Sequence, residues 1–255
     1  MALQIGAALR DAGSRLVSRT GAILLGTYLL LLLGLQSMLN SLLATVYARM
    51  GLGAAVEALP LVVDVPVAVA GGGVLLAILL TTYHSIVSTR TFVADARDRF
   101  PGDALTRNVP LAILNVFVGG FVYGLLVFLG SLLLLVPGLI AYVAFLFLVP
   151  YVAVEDRNFV DALGASYRLG KGNWLQLFVL VLVAVGGASV VGAVVGVVGS
   201  LLLPPAAAQL AIIVVQPPVA LYTLALIAVA FDQLRDATDG DRPDTAADVG
   251  TSPTA

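Results

Sequence analysis

The sequence of 255 residues has no cysteine, one histidine and one lysine. Without cysteine there can be no disulfide, thiolate nucleophile or Cys-based metal site. The lone histidine, His84, leaves nothing from which to build a His-based metal centre. Charge is scarce too. Asp, Glu, Lys and Arg make up 11% of the residues, against about 25% in an ordinary soluble domain. With 60% hydrophobic residues, that deficit excludes a conventional water-soluble globule and predicts a polytopic membrane protein. The basic residues are arginines except for Lys171, and the net charge is −2. Few lysines with many aspartates and alanines point to a salt-adapted, GC-rich organism. No cofactor, metal or nucleic-acid partner is predicted.

What is present is arranged in apolar blocks. Residues 1–20 carry Ile5, Ala8, Leu9, Ala12 and Leu16 at helical spacing, with Arg10, Arg15 and Arg19 between them. This predicts an amphipathic cytoplasmic leader lying on the membrane surface. A plain basic leader that only fixes topology explains the same residues. The apolar run after Arg19 exceeds the roughly 7–15 residues of a cleavable signal core, so it reads as a first span. A bilayer core takes about 20 helical residues. Spans are predicted near 21–46, 65–88, 110–132, 137–154, 174–198 and 209–231. Gln36 and Asn40 share one face of the first span by their i, i+4 spacing and are predicted to point into the bundle.

Two of these boundaries follow from length. As a single helix, the charge-free block from Val109 to Val154 would run about 69 Å, more than twice a bilayer core. Pro137-Gly138 is the predicted turning point, because proline suits a helix start and glycine a turn. Pro204-Pro205 plays the same part in the second long block. After Phe231 the chain turns rich in Asp, Thr and Ala. Residues 232–255 are therefore predicted to form a disordered acidic tail.

Between the two blocks lies a charged island, Glu155 to Trp174. Asn158 is placed to cap a helix, and Asp161 sits in its first turn, where the helix dipole favours negative charge. Gly170 and Gly172 mark its end, and Trp174 falls where an interfacial aromatic belongs. An interfacial helix is predicted, with Arg157, Arg168, Lys171 and Trp174 as contacts for an anionic lipid headgroup or a partner protein. The alternative is a capped connector whose charges only orient the spans. The run Val136–Phe178, with Pro137-Gly138, Pro150, Glu155, Ala162-Leu163, Ser166, Gly172 and Trp174, resembles a group of poorly characterised six-span membrane proteins. That group includes haloarchaeal relatives and the membrane domain attached to some glycerophosphodiester phosphodiesterases. The resemblance implies a six-span fold without a defined activity; the segments outside the spans are expected to be too short for the phosphodiesterase domain itself.

Three further features carry expectations. Gln216-Pro217-Pro218 lies inside the last span, and each proline removes an amide donor. Broken helices with free carbonyls form sites in transporters, and Asn115 holds a loosely similar place in the third span. No ionisable residue sits in mid-membrane to accompany them. Ala188, Gly192, Gly196 and Ser200 recur at four-residue intervals and permit close helix contact, either within the bundle or with a second copy. His84 reads as an interfacial polar residue or a proton carrier. No nucleophile–base–orienter set is evident, although Glu155 and Asp156 beside Arg157 leave a membrane-surface enzyme as a third option.

The reading that results is an all-α bundle of six transmembrane helices plus interfacial helices, acting as a non-catalytic membrane scaffold or accessory protein. The alternative is a small-solute or lipid permease using a broken sixth span. Basic residues fall in the leader, the second-to-third loop, the fourth-to-fifth loop and the tail, and only Arg49 falls on the opposite side. By the positive-inside rule both termini face the cytoplasm of a cell membrane. A reporter active only outside the cell should therefore work when fused after Pro137 and stay silent after Thr238; the reverse pattern would refute this orientation.

Overall fold

The apolar blocks become long helices because a helix is the only open segment that satisfies every backbone donor and acceptor internally in lipid. The computed structural model describes residues 3–240. Among these it contains helices and no strand: α1 (Ile5–Leu16), α2 (Arg19–Arg49), α3 (Gly53–Glu57), α4 (Val67–Val93), α5 (Val109–Leu133), α6 (Leu135–Ala144), α7 (Leu148–Glu155), α8 (Phe159–Gly170), α9 (Trp174–Leu202) and α10 (Pro205–Gly240). Six stretches are long and apolar enough to cross a membrane: α2, α4, α5, α6 with α7 (Val136–Glu155), α9 and α10. The all-α, six-span class expected from composition is the one found.

Local chemistry places most boundaries. The Ser18 hydroxyl accepts from Gly21 N and starts α2, and Asn158 accepts from Asp161 N and starts α8; both are N-caps of the ordinary kind. Pro205 opens α10, where its missing N–H is not needed. The α5–α6 turn, however, falls before Pro137. Leu134 alone is extended (φ −160°, ψ 145°) between the two helices. Pro137 lies in the first turn of α6, where proline fits without loss. Gly138 has a different task from the turn expected of it. A Cβ on Gly138 would strike the Ser131 hydroxyl and lie 2.6 Å from Ser131 N. A Cβ on Gly130 would lie 2.8 Å from Gly138 N. The two glycines let the hairpin arms touch backbone to backbone.

The fourth span is broken in its middle, at Phe145–Phe147. Ser166 of α8 repairs the break: its hydroxyl donates to Ala144 O (2.9 Å) and accepts from Phe147 N (3.0 Å). A fully buried Ser166 thus satisfies backbone groups that would otherwise be stranded in the core.

Packing is unequal along the bundle. The largest buried side chains include Ile86, Phe92, Phe147, Leu148, Leu177, Leu226 and Phe231. They gather near the end where the charged segments meet. At the other end, Leu132, Leu133, Leu201 and Leu202 are exposed, as befits helix surfaces that lipid can solvate. There, Asn40 donates to Pro60 O (2.6 Å) and Ser37 to Leu61 O (2.8 Å), and Gln36 braces Asn40 (3.0 Å). The polar pair expected to face inward thus ties down the loop before α4.

Both ends of the described chain are tied into the bundle. The leader helix α1 packs across α10. Ala8 and Ala12 are fully buried, and the Tyr222 hydroxyl donates to Leu9 O (3.1 Å). Residues 232–240, assigned to a disordered tail, continue α10, because Leu234 is buried in the core and Gln233 accepts from Gln4 N. The remainder of that tail lies outside the described residues.

Gly138→Ala should lower stability by about 1–3 kcal/mol, the usual cost of overpacking. Gly120→Ala, with open space beside it, should change stability by no more than about 1 kcal/mol. Thermal unfolding of both variants in one detergent checks this, and equal behaviour would refute the close hairpin contact.

Candidate functional site

The last four carbonyls of a helix have no intrahelical donor and carry the negative end of its dipole. At the charged end of the bundle, arginines from other elements meet these carbonyls. Arg90, in the last turn of α4, has a side chain only 4% exposed. Its Nε donates to Ala153 O of α7 (2.6 Å) and its Nη1 to Ala104 O (3.1 Å). Arg107, just before α5, donates from Nη2 to Ala153 O (3.1 Å) and Val154 O (2.8 Å). Its Nη1 reaches Asp103 (2.8 Å). The residue that closes α7 is Asp156, in the left-handed region (φ 52°). Its carboxylate lies 3.6 Å from Arg90 Nη2 and 3.1 Å from Arg107 Nε.

The end of α4 is built the same way. Arg15 of α1 donates to Phe92 O and pairs with Asp95 (3.3 Å). Asp95, like Asp156, has positive φ (45°). Thr20 binds the next turn, its hydroxyl donating to Ala96 O (2.6 Å) and its amide to Arg97 O (3.0 Å). Arg97 closes on Asp95 (2.9 Å).

The residues singled out in the charged island divide into two groups. Arg157 is occupied: it pairs with Glu155 (2.7 Å) and lies over the Tyr151 ring (4.9 Å). Arg168 and Lys171 are exposed and make no ion pair among the described residues. Trp174 meets Tyr167 edge-on at 5.7 Å. Its indole Nε1 is buried without a hydrogen-bond partner. Beside it an apolar cavity of about 250 Å³ opens between α6 and α9, lined by Leu139, Ile140, Val143, Leu175 and Phe178. Arg168, Lys171 and Trp174 therefore share one corner, at the end of α8 and the start of α9, while Arg157 belongs to the base of α7.

The residues of the broken-helix expectation are not brought together. α10 runs helically through Pro217 and Pro218. Gln216 and Pro218 are exposed and Pro217 is buried. With Tyr28, Ala188 and Gly192, Gln216 lines a crevice of about 320 Å³ between α2, α9 and α10. Asn115 is not part of it. Its Oδ1 accepts from Phe159 N (3.0 Å) and its Nδ2 donates to Leu111 O (2.8 Å), so it ties the start of α8 to α5. Gly192 and Gly196 have open space beside them, and Ser200 donates to its own helix at Val197 O. His84 is a satisfied buried residue. It stacks on Tyr28 (5.1 Å), and its Nε2 lies 3.0 Å from Leu24 O. A carbonyl only accepts, so Nε2 carries the proton and Nδ1 accepts from Ser88 (3.3 Å).

Sequence reasoning saw Arg90, Arg107 and Arg15 only as orienting charges. It missed that they close helices. The available signal was position: Asp95 and Asp156 each fall within two residues of a helix end, with an arginine two residues or one residue later.

Six apolar helices fastened together at one end define a multi-pass α-helical membrane protein. Residues 3–234 match the family described as Domain of unknown function (DUF7847), and the chain belongs to that family. No curated protein and no solved structure matches it.

Asp156→Asn keeps a side chain that tolerates positive φ but removes the charge between two guanidinium groups. It should cost about 1–3 kcal/mol, less than the ~3–5 expected for a fully buried pair because Asp156 is partly exposed. Asp161→Asn at the exposed start of α8 should cost less than about 1 kcal/mol. Chemical denaturation in detergent compares them; an equal loss would refute the central role of Asp156.

Proposed function

We propose that the protein is a non-catalytic scaffold or accessory protein of the cell membrane that holds an anionic lipid headgroup at the α8–α9 corner, with both termini in the cytoplasm. The observation that carries this reading is the setting of two unpaired cations. Arg15, Arg90, Arg97, Arg107, Arg157 and Arg235 are engaged by carboxylates, whereas Arg10, Arg19, Arg49, Arg99, Arg168 and Lys171 are exposed and make no ion pair among the described residues. Arg168 and Lys171 are exposed beside a buried, unpartnered indole N–H and an apolar cavity. Exposed cations and an adjoining apolar slot match two chemistries of a phospholipid, headgroup charge and acyl chain. A kinship to six-span membrane domains of glycerophosphodiester phosphodiesterases, and a haloarchaeal source, fit this reading and belong to the same proposal.

A second reading, a permease for a small solute or lipid, draws on the crevice that reaches Gln216. The prolines at 217 and 218 supply no amide to Ile213 O and Val214 O, and acceptors so freed could line a path. The face bearing Ala188, Gly192, Gly196 and Ser200 would on either reading suit a second copy or a membrane-protein partner.

Purification in mild detergent followed by mass spectrometry of all retained lipids and proteins tests the leading reading. Wild type should retain anionic phospholipid. Arg168→Ala with Lys171→Ala should reduce it roughly tenfold or more, at about 1 kcal/mol per basic residue. Undiminished lipid in the double variant would refute the corner as the site. Solute flux in liposomes that is abolished by Gln216→Ala would favour the permease.

A further inference from the structure

Helices α9 and α10 touch near both ends of their shared length. A Cβ on Gly199 would lie 3.4 Å from the Cβ of Ala208, and around Leu180, Val181 and Leu226 the gap is only about 10 Å³. Between these points the helices part, and with α2 they border the crevice of about 320 Å³ at Gln216. We infer that this crevice binds an uncharged, membrane-dissolved molecule through an acceptor oxygen on an apolar body, either the carbonyl of a quinone or the hydroxyl of an isoprenoid alcohol. The inference does not rest on the lipid corner, and it holds whether or not the crevice conducts a solute.

Tyr28 and Gln216 are the polar side chains in the lining. Hydroxyls nearby in the same spans turn back on their own helix, Thr27 to Ile23 O, Ser189 to Val185 O and Thr223 to Val219 O. The Tyr28 hydroxyl and the Gln216 amide, in contrast, make no hydrogen bond among the described residues. Gln216 is exposed, and the Tyr28 hydroxyl keeps accessible surface, unlike the enclosed Trp174 Nε1. The Tyr28 ring is held by its stack on His84 (5.1 Å). Tyr28 lies nine residues into α2 from Arg19, and Gln216 eleven residues into α10 from Pro205. At about 1.5 Å per residue these are depths of roughly 14 and 17 Å, near the middle of a core roughly 30 Å thick. Water is scarce at that depth, so an unpaired polar group there is costly.

Depth and lining select the ligand. Bringing a charge to mid-bilayer is expensive, and among the described residues no cation or carboxylate lines the crevice to offset it, so the ligand is uncharged. The ester and phosphate oxygens of a phospholipid stay at the interface, roughly 15 Å away, and do not reach these two groups. Other parts of the wall, such as Val195, Ile212 and Val219, are apolar and suit a hydrocarbon body. Gly192 has open space beside it, which leaves room for a ring or a branched chain. Tyrosine offers one O–H donor and glutamine two N–H donors, and an oxygen with two lone pairs can accept from both. A recess of this volume is in the range of small-molecule pockets, which favours such a ligand over a second copy of the chain.

The test uses the full chain in phosphatidylcholine nanodiscs. Decylubiquinone and geranylgeraniol are titrated as separate probes, and native mass spectrometry counts the molecules bound. Tyr28→Phe keeps the ring that stacks on His84, and Gln216→Leu changes an exposed side chain, so both variants should fold. Each should weaken binding about fivefold, the scale of one neutral hydrogen bond lost. Arg168→Ala with Lys171→Ala should leave this binding unchanged, which separates it from the lipid corner proposed above. Binding of the quinone alone identifies a carbonyl ligand and binding of the alcohol alone a hydroxyl ligand; either, or both, supports the site. A wild type that binds neither probe, or either folded variant binding with wild-type affinity, overturns it. A wild-type dimer that Gln216→Leu makes monomeric, with neither probe bound, would also overturn it and assign the amide to a second copy.

Discussion

A helix that ends inside a packed region has carbonyls that need donors, and here arginines from distant segments supply them. Arg90 and Arg107 converge on the last carbonyls of α7, and Arg15 reaches the end of α4. Each contact joins elements far apart in sequence, so satisfying a helix end also fixes tertiary position. Arginine suits the task because a planar fork can donate to two backbone oxygens and still face a carboxylate. Lysine, a compact point charge on a flexible stem, lacks that fixed planar fork, and the chain's single lysine is exposed.

The unequal packing follows from this arrangement. Where the arginines bind, side chains such as Phe92, Phe147, Phe231 and Leu226 close into a core. Away from that end the helices splay into apolar surfaces that water would not tolerate and lipid does. The candidate lipid site lies beside the fastened end, at the exposed corner of α8 and α9. The crevice at Gln216 belongs to the looser half, where a glycine-rich face of α9 leaves room.

Several features were legible because they depend on neighbours in the chain. Asn158 and Asp161 start α8 as their spacing requires, and Gly172 takes positive φ (93°) at its end. The helical class and six spans follow from apolar length alone. Ser166 and Asn115 show the limit. Nothing near Ser166 in the chain sets it apart from other helix serines, yet it mends a break in another span. Asn115 reads as a counterpart in the third span to the broken helix at Gln216-Pro217-Pro218, yet it fastens α8 to α5.

The sequence by itself determined that this is a six-span helical membrane protein with its charge concentrated in the loops of one side. Those properties arise from composition and from periodicities of a few residues, which the order of residues records in full. Only the tertiary structure decided which cations are spent on helix ends and which stay exposed, where the fourth span breaks, and that α1 and the first turns after Phe231 belong to the core. Those outcomes depend on which carbonyls and cavities are left over once helices pack, a property of distances between segments that sequence spacing does not encode.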